Sequence, residues 1–139
     1  MNWIVAGLIA GVGAFFADWL MWGKVFTTGM EAYGTMPATP EEGKKQMAAN
    51  MPKSAVLALL FGVLLACFYE RLKGGLWVQG GGPLAGMEFA TMLWLPTIAL
   101  STIGGGVWYD KVRRLHKATF WAWLVRMNVA GLIVGLLVK

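Results

Sequence analysis

Four long apolar stretches, separated by polar segments, dominate the pattern of the chain. Each approaches the roughly 20 residues that an α-helix needs to cross the hydrocarbon core of a membrane. The pattern therefore predicts an all-α, polytopic membrane protein whose four transmembrane helices form a compact bundle in a single domain. The predicted spans cover about residues 3–23, 54–72, 84–109 and 118–138.

The polar segment after span one contains a helix-start signal. Thr39 suits an N-cap, Pro40 the first helical position and Glu42 the third, as in a capping box. We expect a short amphipathic surface helix from here to about Asn50, ended by Pro52 because proline interrupts helical hydrogen bonding.

Span three carries a proline, Pro96, well inside its apolar run. Proline removes one backbone donor, so we expect a kink in this helix. The hydroxyl of Thr97 or of Thr91 is a candidate donor to a carbonyl freed by the kink.

Small residues recur four positions apart in the first and last spans. The clearest pairs are Gly7 with Gly11 and Gly131 with Gly135. Such spacing lets helix backbones approach closely in a membrane, so both faces are predicted to serve helix packing, including contacts with other chains.

Composition agrees with the pattern, because 58% of the 139 residues are hydrophobic and only 14% are charged. A soluble domain has about 25% charged residues. The 12 Lys and Arg exceed the 7 Asp and Glu, but positive charge beside apolar spans is typical of orientation signals, so nucleic acid is not an expected partner. The one cysteine, Cys67, excludes an intrachain disulfide and a CxxC metal site.

Lysine and arginine are unevenly distributed among the polar segments. Because cytoplasmic segments carry the excess of positive charge, segments one and three are predicted to be cytoplasmic and both termini to lie outside. The predicted location is the bacterial cytoplasmic (inner) membrane. Segments one and three hold Lys24, Lys44, Lys45, Lys53, Lys111, Arg113, Arg114 and Lys117, whereas segment two and the C-terminal tail hold Arg71, Lys73 and Lys139.

Three charged residues lie within the predicted spans: Asp18, Glu88 and Arg126. A charge at the centre of a membrane helix costs about 2.5 to 3.5 kcal/mol on insertion scales, so each needs a partner or a function. Asp18 and Arg126 fall at depths that differ by roughly 5 Å, and we predict that they form an ion pair, which Asn128 is placed to join. Glu88 enters from the opposite side and either reaches toward the same cavity or points outward.

Two interpretations of this polar cluster stay open. It is either a proton or substrate relay, or a clasp that fixes span one against span four; the clasp is favoured because a salt bridge that neutralises both charges needs no transported species. The only histidine, His116, lies among basic residues and is a weak candidate metal ligand, since no second ligand accompanies it. The sequence predicts neither a catalytic centre nor a cofactor.

Several short motifs resemble those of a family of uncharacterised small bacterial four-helix membrane proteins, defined by a domain of unknown function. They are the opening Met1 to Trp3, the Trp22 to Lys24 end of span one, the Thr39 to Glu42 helix start and the Trp94 to Thr97 stretch. The resemblance implies a membrane bundle and no activity.

The sequence therefore predicts a noncatalytic accessory or structural subunit, whose partners are the lipid bilayer and either further copies of itself or larger membrane-protein subunits. The alternative is a small oligomeric transporter or channel that uses Asp18 or Glu88.

Overall fold

The computed structural model describes residues 1–26 and 39–138, and within them it is all-α, with no strand. The segment between Phe26 and Thr39 and the last residue, Lys139, lie outside the described residues. The helices are α1 (Trp3–Leu20), continued by a π-helical turn (Met21–Val25), α2 (Pro40–Leu72), α3 (Pro83–Trp94), a second π-helical turn (Leu95–Ala99), α4 (Leu100–Trp108) and α5 (Arg113–Leu137).

Four continuous helical segments in the described part of the chain are long and apolar enough to span a membrane. They are Trp3–Val25, Pro40–Gly75, Pro83–Trp108 and Arg113–Leu137. The predicted spans are therefore confirmed as helices of sufficient length and apolarity.

Helix α1 buries small side chains and exposes large apolar ones, which is the reverse of a helix in a soluble protein. On α1, Ala6, Ala10 and Ala14 are fully buried, while Leu8 and Phe16 are 42% and 61% exposed. A large apolar exterior is unfavourable in water, whereas in lipid it is the expected helix surface, since close backbone approach there depends on small residues.

The prediction of a separate surface helix that ends at Pro52 is wrong. The N-cap is as predicted, because the hydroxyl of Thr39 accepts a hydrogen bond from the Glu42 N–H at 3.2 Å. From there α2 runs without interruption through Pro52 to Leu72. The proline deprives the Ala48 carbonyl of its helical donor, but Ala48 is exposed, so water can bind that carbonyl instead.

The interruption predicted at Pro96 takes the form of the π-helical turn Leu95–Ala99. The hydroxyl of Thr97 donates to the carbonyl of Leu93 at 2.5 Å, whereas the carbonyl four residues before Pro96 is that of Met92. Pro96 therefore leaves span three helical on both sides of a local change in hydrogen bonding.

α1 and α5 form the centre of the bundle. α1 packs against α2 on one side and α5 on the other, and α5 also packs against α3 and α4. α2 and α3, although consecutive in the chain, touch only slightly; one such contact is the edge-to-face pair of Tyr69 and Phe89, with ring centroids 5.6 Å apart.

Close contacts at glycine residues hold α1 against α2 and α3 against α5. A methyl group added to Gly11 would lie 2.6 Å from the carbonyl oxygen of Ala58, and one added to Gly7 would lie 2.8 Å from that of Gly62. On the other side, a methyl group on Gly86 would collide with the backbone of Gly131 and Gly135. Backbone therefore meets backbone in both pairs.

These contacts correct one expectation about assembly. The small-residue pairs Gly7 and Gly11, and Gly131 and Gly135, were predicted to be available to other chains. Both faces are occupied within the chain, by α2 and by α3 respectively. Packing between neighbouring helices of one bundle thus accounts for the spacing of the glycines.

Candidate functional site

The predicted ion pair between the first and last spans is present. A guanidinium nitrogen of Arg126 (Nη1), on α5, donates to the Oδ2 atom of Asp18, on α1, at 2.6 Å. The side chains are 13% and 29% exposed, so both charges are largely withdrawn from the surroundings. A short charge-assisted hydrogen bond of this kind is stronger than one between neutral groups.

The guanidinium of Arg126 also lies against two aromatic rings. Its central carbon is 4.5 Å from the ring centroid of Phe61, on α2, and 4.5 Å from that of Trp123, one turn earlier on α5. The two rings contact each other at 80°, with centroids 6.0 Å apart. Cation–π attraction strengthens when the cation is removed from water, so Arg126 links α1, α2 and α5 at one point.

The rings around Arg126 were not predicted from the sequence. Trp123 stands three positions before Arg126, which places it on the same helix face, and that spacing was an available signal. Phe61 carries no such signal, because only the packing of α2 brings it to α5. The Nε atom of Arg126 is buried and has no hydrogen-bond partner within the described part of the chain.

Asn128 does not join the ion pair, contrary to expectation. Its side-chain nitrogen donates to the carbonyl of Leu124 at 3.0 Å, and its side-chain oxygen accepts from the Thr91 hydroxyl at 3.2 Å. Two positions along a helix turn the side chain to a different face. Asn128 therefore joins α5 to α3 instead of α1.

Glu88 lies at a third, separate place. Its two carboxylate oxygens accept hydrogen bonds from the backbone N–H groups of Trp77 and Val78, at 2.7 and 2.8 Å. The carboxylate thereby ties the connection between α2 and α3 to the first turns of α3. One sequence-based alternative was that Glu88 reaches the cavity beside Asp18. In the structure it does not.

A cavity of about 720 Å³ adjoins the ion pair, between the end of α1 and the first third of α2. Its walls are mixed, since they include one carboxylate, two indoles and several uncharged polar side chains. They are formed by Phe15, Asp18, Trp19, Trp22, Gly43, Gln46, Met47, Asn50, Met51 and Ser54. Asp18 is the residue that connects this cavity to the pair.

His116 packs its imidazole over Gly105, where a methyl group would lie 2.5 Å from its Cε1 atom. Within the described residues no cluster of three His, Cys, Asp or Glu side chains could hold a metal ion. The imidazole lines a second cavity, of about 600 Å³, between α4 and α5.

Comparison of the chain with known protein families, with curated proteins and with solved structures finds no match. The resemblance to the family with a domain of unknown function therefore stays a prediction. What the geometry provides is a neutralised charge pair with aromatic walls, next to a cavity of mixed polarity.

Proposed function

We propose that this chain is a noncatalytic accessory or structural subunit of a membrane assembly, formed with further copies of itself or with larger membrane proteins. One observation carries the proposal: the polar side chains that lie deepest in the spans are bonded to other groups of the same chain. Asp18 binds Arg126, Asn128 binds Thr91, and Glu88 binds the backbone of the preceding connection. Such groups stabilise one arrangement of helices.

The first third of α2 is the surface that we assign to a partner. α2 has 33 residues, which corresponds to about 50 Å at 1.5 Å per residue, whereas the hydrocarbon core is about 30 Å thick. The helix therefore extends well beyond the membrane at one end. We call its exposed part, residues 40–51, the α2 arm.

The α2 arm combines charge with exposed thioethers. Glu41, Glu42, Lys44 and Lys45 supply both signs of charge in its first two turns, and Met47 remains 60% exposed. Methionine adapts its shape to apolar partner surfaces, and mixed charges give a polar rim. The glycine faces, in contrast, are used within the chain.

Orientation and location belong to the same proposal. The distribution of lysine and arginine supports a cytoplasmic position for the α2 arm and for the connection between α4 and α5, with both termini outside. We place the protein in the bacterial inner membrane.

The proposal is tested by photocrosslinking in the native membrane. A benzoylphenylalanine at Met47 should give a discrete adduct with one partner protein or with a second copy of the chain, whereas the same group at Leu8, a large exposed residue of α1, should give lipid adducts only. Adducts with lipid alone, or no adduct, at both positions would contradict the accessory role. Mass spectrometry of the adduct decides between self-association and a different subunit.

A second candidate, a small oligomeric transporter or channel, is favoured by one observation. The cavity of about 720 Å³ reaches the carboxylate of Asp18, which is 29% exposed. A group that is both paired and accessible is suited to exchange its partner for a proton or a cationic substrate.

The two candidates differ in proteoliposomes. Transport requires flux of protons or of a cationic solute in the purified protein, lost in Asp18→Asn and kept in Glu41→Gln, a carboxylate variant on the α2 arm. A subunit without transport activity gives the same background leak for the native protein and for both variants.

A further inference from the structure

We propose that the cavity beside Asp18 binds an uncharged, planar ring that carries carbonyl oxygens, as a quinone does. The cavity holds about 720 Å³, which lies within the range of small-molecule sites. It stands between the end of α1 and the first third of α2. In the proposed membrane arrangement this is the boundary from which the α2 arm extends, so a ligand can enter from the lipid and still meet polar groups.

The wall of the cavity on the side of α1 is aromatic. Phe15, Trp19 and Trp22 follow one another at spacings of four and three residues, which places them on one face of the helical segment. Trp19 is 49% exposed, so part of its ring is open to a ligand. Indole rings pack against flat aromatic groups in offset or edge-to-face arrangements. This wall therefore favours a planar ring.

The facing wall, on α2, supplies hydrogen-bond donors and thioethers. The side-chain amides of Gln46 and Asn50 stand about one helical turn apart, and the hydroxyl of Ser54 follows one turn further along. Each of these groups can donate to a carbonyl oxygen. Met47 and Met51 lie beside them, and thioethers make favourable contacts with aromatic rings. This wall therefore suits a ring that carries acceptors.

The charges beside the cavity are already matched within the chain. Asp18 is the single charged side chain among the described residues of the lining, and it is bonded to Arg126 at 2.6 Å. The ammonium of Lys24 lies 6.0 Å from the ring centroid of Trp19. A cationic ligand would compete with these two cations for Asp18 and Trp19, and an anion would approach the carboxylate. An uncharged ring leaves both contacts intact.

The site goes beyond both candidate functions. The accessory role requires no ligand, and the transporter requires a proton or a cationic solute. Failure to bind the ring would leave the photocrosslinking at Met47 and the flux measurements unaffected.

Calorimetric titration of the purified full chain in detergent tests the proposal, with protein-free micelles as the blank. The probes are duroquinone, whose fully methylated ring does not add to the thiol of Cys67, durene, which lacks the carbonyls, and the tetramethylpyridinium cation. We expect duroquinone to bind at least fivefold more tightly than the other two. Equal or tighter binding of durene or of the cation would overturn the proposal, as would the absence of saturable binding of duroquinone.

Matched substitutions on α2 test the hydrogen bonds. Gln46→Leu combined with Asn50→Leu removes two donors from the lining, whereas Ala48→Leu combined with Ala49→Leu places two leucines on the same part of the helix outside it. We expect the first variant to weaken duroquinone binding at least fivefold, which corresponds to the roughly 1 kcal/mol contributed by one hydrogen bond. The second should change it less than twofold, and equal affinities in the two variants would overturn the assignment.

Two tryptophan substitutions test the aromatic wall without altering any charge. Trp22→Leu removes a ring from the lining, whereas Trp108→Leu removes the ring of a residue on α4 that is 82% exposed. We expect about tenfold weaker binding in Trp22→Leu, unchanged binding in Trp108→Leu and recovery in Trp22→Phe, which keeps an aromatic face. Native affinity in Trp22→Leu, or an equal loss in Trp108→Leu, would overturn the assignment to this cavity.

Discussion

Gly131 on α5 lies so close to Gly86 on α3 that a methyl group on either residue would collide with the carbonyl oxygen of the other. Gly7 and Gly62 stand in the same reciprocal relation between α1 and α2. Both helix pairs are thus held by backbone contact, which gains from close dispersion contacts and Cα–H···O interactions. The bundle consists of two closely packed helix pairs, α1 with α2 and α3 with α5, and the contact between α1 and α5 joins them.

A single methyl group at this contact should destabilise the protein. We expect Gly86→Ala to lower the free energy of unfolding by about 1 to 3 kcal/mol, the usual range for overpacking, measured by SDS titration with tryptophan fluorescence. Gly104→Ala is the control, because Gly104 has open space around it and alanine favours a helix by up to about 1 kcal/mol. Equal stability of the two variants would mean that the helices separate easily.

The ion pair should show strong coupling between its partners. Asp18→Leu and Arg126→Leu each leave one buried charge without a counterion, which costs about 3 kcal/mol. The double variant leaves none, so its loss of unfolding free energy should be clearly smaller than the sum of the single losses. A double-mutant cycle measures this difference, and strictly additive losses would refute the clasp.

The contact with two aromatic rings depends on the planar guanidinium of Arg126 as well as on its positive charge. Arg126→Lys keeps the positive charge but loses the planar group that lies against Phe61 and Trp123. We expect a loss of about 1 to 2 kcal/mol of unfolding free energy, and Trp123→Phe, which keeps an aromatic face, should lose less than Trp123→Leu. A fully stable Arg126→Lys would show that the rings contribute little beyond packing.

The carboxylate of Glu88 should control the connection between α2 and α3. Glu88→Gln replaces two charge-assisted acceptors by one neutral oxygen, so amide exchange at Trp77 and Val78 should accelerate by about tenfold, equivalent to about 1.4 kcal/mol. Glu70→Gln is matched to it, because Glu70 lies near the other end of the same connection and pairs with Lys73 at the surface, where such pairs contribute little. Unchanged exchange in Glu88→Gln would contradict the tether.

The orientation can be read by labelling in intact cells. In a Cys67→Ala background, a cysteine at Trp77, which is 84% exposed, should react with a membrane-impermeant maleimide. A cysteine at Lys44, on the α2 arm, should react only after the cells are lysed. The opposite pattern would reverse the topology and place the arm outside.

The apolar pattern was sufficient to predict four helices that are long and apolar enough to span a membrane, because length and apolarity can be read directly from the sequence. Depth counting was sufficient for Asp18 and Arg126, since both positions lie on regular helix with a fixed rise per residue. The helix end predicted at Pro52 was wrong, because the effect of a proline depends on whether water can bind the carbonyl that has lost its donor. The exposure of Ala48 is set by the fold and cannot be read from the sequence.

The partner of Glu88 lay beyond sequence reasoning for a different reason. The connection returns toward α3 through Gly80, Gly81 and Gly82, whose φ angles are 90°, 76° and 90°. Glycine adopts these angles readily, but a run of three glycines in the sequence does not specify which path the chain takes. The N–H groups of Trp77 and Val78 become visible as donors only once that path is known.

The ion pair between Asp18 and Arg126 determines how this part of the bundle responds to a transmembrane voltage. Moving one elementary charge across a membrane changes its electrostatic energy by about 2.3 kcal/mol for each 100 mV of transmembrane voltage. The joined residues carry opposite charges at a separation of 2.6 Å between bonded atoms, so the net force of the field on them is close to zero. In the proposed membrane arrangement, this part of the bundle is therefore insensitive to voltage while the two residues remain joined. Neutralising Asp18 alone would leave one positive charge that the field can drive.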